Sequence, residues 1–166
     1  MKRRRIAAGL ALAALVVLGL AGPVAAGDQV PFKGRLDGVA TVSPLTPPFV
    51  AIDVEGSGHA TQLGHFEVSI PHVANRSNGS AAGTYEFTAA DGDTLTADFT
   101  SQATPTDVPG VIAVAVTATI TGGTGRFFGA TGSFVGERVA DTVHGTVTES
   151  FGGTISTPRR GNDRND

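Results

Sequence analysis

The run Ile120-Thr-Gly-Gly-Thr-Gly-Arg-Phe-Phe-Gly-Ala-Thr-Gly-Ser-Phe134 constrains the fold of this chain more than any other stretch. Glycine reaches positive φ and lets two backbones approach closely, so glycines interleaved with phenylalanines mark a forced turn with a packed plug. Gly122-Gly123 ends a strand here, and Thr124 is placed to cap a single helical turn over Gly125 to Phe128. Gly129 then terminates it, and Phe127 or Phe128 is expected to fill an open end of the fold.

Around this run the chain alternates apolar and polar residues with period two, the mark of a strand with one dry and one wet face. Val50, Ile52 and Val54 alternate with Ala51, Asp53 and Glu55; Tyr85 and Phe87 with Thr84, Glu86 and Thr88. Leu95, Ala97 and Phe99 alternate with threonines and Asp98, and Ile112 to Ile120 repeats the pattern. Asp91-Gly92 reads as a tight hairpin turn, and Gly56-Ser57-Gly58 as another. Eight strands follow, at 32–42, 49–56, 58–71, 81–89, 93–103, 111–121, 132–140 and 143–156. Short links between successive strands make an antiparallel meander, and closure into an eight-stranded barrel removes its exposed edges. A two-sheet β-sandwich is the competing architecture.

Lys2-Arg3-Arg4-Arg5, the apolar stretch Ile6 to Ala21 and the small residues Val24-Ala25-Ala26 have the layout of a secretory signal peptide cleaved after Ala26. The domain reading is thus a signal peptide at 1–26, a barrel at 27–157 and a disordered polar tail at 158–166. Without the four leader cations the chain carries 8 Lys+Arg against 15 Asp+Glu, a net charge of −7. Such a surface repels phosphate backbones and anionic headgroups, which argues against nucleic acid and membrane partners. The sequence has no cysteine, excluding disulfides, thiol catalysis and thiolate metal sites. The expected location is secreted or periplasmic, with no stable membrane anchor after cleavage.

Two stretches then carry a resemblance. Thr121-Gly-Gly-Thr-Gly-Arg-Phe-Phe-Gly-Ala-Thr-Gly132 resembles the glycine element of the allene oxide cyclase-like and dirigent-like barrels. Gly56-Ser-Gly-His-Ala-Thr-Gln-Leu-Gly-His-Phe66 is similar to a stretch of exported bacterial members of that barrel class. The resemblance implies an eight-stranded antiparallel barrel with a lipocalin-like layout over residues 30–156. No catalytic residue of the plant families aligns onto a numbered position here, so the resemblance implies architecture without activity.

Chemistry-bearing residues are sparse. His59, His65 and Glu67 share a face if 59–67 is one regular strand. Histidines six apart then lie about 20 Å from each other, too far for one metal ion. His65 and Glu67, about 6.6 Å apart, permit a proton relay, against the plainer reading of both as solvent-face residues. In the last hairpin Glu137 and Arg138 point to opposite faces, so one is directed inward, and Glu149 is a possible partner for Arg138. The plainer reading there is a solvated rim pair.

These readings combine into an exported barrel that binds a small apolar molecule or serves as a structural envelope module, without catalysis, cofactor or metal. Phe32, Tyr85, Phe87, Phe99 and Phe134 are expected to line its interior. The alternatives are an isomerase- or cyclase-like enzyme using an inward Glu or His, and a module that self-associates through a barrel face.

Overall fold

The computed structural model describes residues 28–158. The leader read at 1–26 and the tail from 159 lie outside them. Eight strands follow one another: β1 (Val30–Pro44), β2 (Phe49–Ala60), β3 (Gly64–Asn75), β4 (Ser80–Ala89), β5 (Thr94–Pro105), β6 (Val111–Gly123), β7 (Thr131–Asp141) and β8 (Thr146–Ser156). Each is antiparallel to its neighbour, and β8 returns to β1 over Val30↔Ile155 to Val39↔Thr146. That last pairing closes the barrel and excludes the sandwich.

The hairpin read at Gly56-Ser57-Gly58, and with it the single strand over 59–67, is corrected. Gly56-Ser57-Gly58 is no turn; it lies within β2. A β-carbon on Gly56 would overlap the carbonyl of Asp37, and one on Gly58 would overlap the carbonyl of Arg35 and stand 2.7 Å from the Phe66 ring. These glycines therefore admit β1 and a phenylalanine at close range, the other reason a strand carries glycine. The chain instead reverses at 61–63, where Gln62 takes a φ of 70°. Asp91-Gly92 does form a hairpin turn, with Gly92 at φ 86° and Ala89 N–H donating to the Asp93 carbonyl.

Inward positions hold the core. Phe32, Phe66, Tyr85, Phe87, Phe134 and Phe151 pack ring against ring with centroids 5.2–6.4 Å apart. Glycines face several of them across the sheet: Gly58 pairs with Phe66 and Gly153 with Phe134. Large and small residues thus alternate around the wall, as a narrow barrel requires.

The two ends differ. At the end where β6 passes to β7, a 3-10 turn, Gly125–Phe127, inserts Phe127 (2 % exposed) beside buried Leu63 and Ala130. Phe128, by contrast, is 78 % exposed, so only one of the two rings plugs the barrel. Thr124 does not cap this turn with its side chain; its hydroxyl accepts from Thr94 N–H at 2.9 Å and pins the turn to β5. At the opposite end the inward residues Ala40, Ile52, His72, Ala103, Ile112 and Ala140 are only half-buried.

Candidate functional site

Period two decides what enters the lumen. On β7, Arg138 is in phase with Phe134 and Gly136; on β8, Glu149 is in phase with Val147 and Phe151. Both side chains therefore point inward from register partners on adjacent strands, Arg138↔Glu149. Arg138 Nε donates to Glu149 Oε2 at 2.8 Å, and the Arg138 and Glu149 side chains are 4 % and 0 % exposed. Tyr85, inward on β4 across the lumen, completes the cluster. Its hydroxyl donates to Glu149 Oε1 at 2.7 Å and accepts from Arg138 Nη2 at 2.7 Å.

A buried charge survives only when paired and hydrogen-bonded. Here each member satisfies the others, and the Arg138 guanidinium also lies 5.7 Å from the ring centres of both Tyr85 and Phe99. Burial pushes the Tyr85 phenol far above its usual range, and Glu149 adds to that push while Arg138 opposes it. Tyr85 is a protonated donor at any ordinary pH. Burial alone would lower the Arg138 guanidinium; Tyr85 and Glu149 outweigh it, and the net direction is upward.

Among the described residues no fully buried side-chain nitrogen or oxygen lacks a hydrogen bond. Arg138 donates through Nε and Nη2, and its side chain keeps 4 % of its surface exposed. His72 stands at the less sealed end, inward from β3 and in phase with Phe66, Val68 and Ile70. Its Nδ1–H donates to the Ile70 carbonyl at 2.8 Å, and its ring meets Phe99 edge-on at 5.6 Å. Burial lowers its pKa; the Ile70 hydrogen bond opposes this, Arg138 adds to it, and Asp53 opposes it. The ring is thus neutral at pH 7, with Nε2 as an acceptor.

The remaining sequence candidates fall outside the lumen. His65 and Glu67 are exposed on the outer face of β3. Glu137 lies in a depression of about 490 Å³ across β1, β8 and β7, lined by exposed residues such as Arg35, Asp37 and Ser150 and also by Leu36 and Glu149. The plainer reading of Arg138 and Glu149 as a solvated rim pair gives way to a buried one. Phe32, Tyr85, Phe87, Phe99 and Phe134 all face inward and are buried. Sequence reasoning missed two things: His72, whose phase with Ile70 marks it as inward, and the polar role of Tyr85, for which alternation carries no signal.

No family model matches the chain, and no curated protein matches it in sequence. Among solved structures it is similar to the pterocarpan synthase dirigent protein PsPTS1, with a TM-score of 0.58 and 9 % identity over 81 % of this chain and 99 % of that one. It is also similar to the pterocarpan synthase dirigent protein GePTS1, with a TM-score of 0.57 and 11 % identity over 80 % of this chain and 93 % of that one. At these identities the likeness is one of fold, and its near-complete coverage of both neighbours spans the whole barrel. The chain folds as a dirigent-like, closed eight-stranded antiparallel β-barrel.

Proposed function

We propose that this protein is an exported binding barrel for one small, mainly apolar molecule that carries an anionic or hydrogen-bond-accepting group, and that it performs no covalent chemistry. The observation that carries this reading is the asymmetry of the lumen. One end is filled by rings and by Phe127, while at the other the inward residues Ile52, His72 and Ile112 are only half-buried, with buried Arg138 deeper on the same inner wall. Apolar walls with a few convergent polar groups are the usual make-up of a small-molecule site. A guanidinium in low dielectric favours an acceptor with negative charge. Glu149 argues against catalysis: both its oxygens are held by donors within a buried cluster, which leaves it poorly placed to take a substrate proton. Export rests on the leader layout at 1–26, and kinship with exported bacterial barrels on the two glycine-rich stretches.

His72 favours a second reading, an isomerase- or cyclase-like enzyme, because a neutral imidazole beside a lumenal arginine has the makings of a general base. Titration with 8-anilinonaphthalene-1-sulfonate, an apolar anion, separates these readings from a purely structural barrel. One site per barrel is expected, displaced by decanoate and lost in Ile52→Trp, which obstructs the mouth. No binding, or binding unchanged in Ile52→Trp, overturns the lumenal site.

A further inference from the structure

The turn at 61–63 has a chemical result on the outer surface. It folds β3 back on β2 so that His59 and His65 become direct cross-strand partners. The separation of about 20 Å expected for one continuous strand is thereby replaced by a Cβ–Cβ distance of about 4.5–5.5 Å, the spacing of directly opposed residues in an antiparallel pair. Both side chains are exposed on the same face, and among the described residues neither ring makes a hydrogen bond. The backbone beneath them is held. The Thr61 hydroxyl donates to the Pro31 carbonyl at 2.8 Å and accepts from Lys33 N–H at 3.0 Å, tying the hairpin end to β1.

We infer that His59 and His65 form a bidentate site for a late first-row divalent cation, Cu(II) ahead of Zn(II). Two neutral imidazoles at this spacing suit such ions, and the order of affinity among divalent metals places copper first. Among the described residues no group of three or more histidine, aspartate or glutamate side chains is placed to hold a metal. Water therefore completes the coordination sphere. Carboxylates share this face: Asp37 and Glu67 lie two register rows from the pair and Glu55 four, while the exposed Lys33 lies two rows away on the other side. An acidic surface raises the local cation concentration. Arg35 opposes it, since it is the register partner of His59 on β1 and is exposed on the same face.

The test is calorimetric titration of CuCl2, and separately ZnCl2, into the protein without an affinity tag, in a non-coordinating buffer at pH 7.5. One Cu(II) per chain is expected, with Zn(II) weaker, and the copper electron paramagnetic resonance spectrum should show two equatorial nitrogens. His59→Ala and His65→Ala should each weaken binding by at least about tenfold, because the second imidazole acts at high effective concentration once the first is bound. Arg35→Gln should tighten binding, and His144→Ala should leave it unchanged. All four positions are exposed, so an unchanged melting temperature without metal verifies that each variant folds. Absence of copper binding overturns the inference, as does binding that survives the double variant His59→Ala/His65→Ala. Copper-dependent dimerisation on a sizing column also overturns it, since the ion would then bridge two barrels.

Discussion

Gly136 leaves the space that Glu149 occupies. A β-carbon on Gly136 would overlap Oε1 of Glu149, the oxygen that accepts the Tyr85 hydroxyl. The absence of a side chain on β7 is therefore a condition for the polar cluster on β7, β8 and β4.

Gly136→Ala should destabilise the barrel by about 1–3 kcal/mol, the usual cost of overpacking a filled core. In a Glu149→Ala background the same substitution should cost clearly less, because the overlapping oxygen is gone. Urea unfolding of the four proteins in this cycle gives the coupling. Additive effects would show that the glycine serves some other neighbour.

Breaking the cluster at one member should be worse than removing it. Arg138→Met or Glu149→Leu alone should cost about 3–5 kcal/mol, since each leaves an uncompensated buried partner. Tyr85→Phe, which strips one donor from Glu149 and one acceptor from Arg138, should cost about 1–3 kcal/mol. The triple variant Tyr85→Phe/Arg138→Met/Glu149→Leu should recover much of the single-variant loss. A triple variant less stable than either charged single would contradict the account of mutual satisfaction.

His72 should give the barrel a pH dependence. Its folded pKa lies below the ordinary 6.5, so in the window below 6.5 the unfolded chain binds more protons than the folded one. Stability should therefore fall as pH drops through 6.5 and level off, for this group, below the folded value. The groups bearing on it are Arg138, which favours the neutral ring, and Asp53, which favours the charged one. Chemical denaturation of the wild type and of His72→Phe from pH 8 to pH 5 isolates the term. The variant should lose that part of the slope, and parallel curves would rule the assignment out.

Two adjacent phenylalanines should respond very differently. Phe127→Ala empties the plug and should cost about 3–5 kcal/mol, whereas exposed Phe128→Ala should change stability by no more than about 0.5 kcal/mol. Thermal melts of the pair suffice. Equal losses would mean that Phe128 also packs into the barrel end.

Much of this was legible from residues alone. Strand phase is a local property, and it already places Arg138 with Phe134, and Glu149 with Val147 and Phe151, on the wall that must face inward. The same phase argument applied to β3 puts His72 with Ile70. The misreading of Gly56-Ser57-Gly58 has a physical source: glycine serves both sharp turns and close strand approach, and only the pairing of β2 with β1 and Phe66 distinguishes them.

Composition and alternation by themselves determined an all-β chain of eight strands with an aromatic core and a glycine-shaped plug. Each of these follows from backbone geometry repeating every two residues or from glycine's freedom at a few positions. Tertiary structure decided what lies far apart in sequence: closure of β8 on β1, the bridging of Arg138 and Glu149 by Tyr85 from β4, the difference between the two ends, and the meeting of His59 with His65. Register and closure are non-local. They are set by how all eight strands pack around one lumen, and no window of the sequence contains that information.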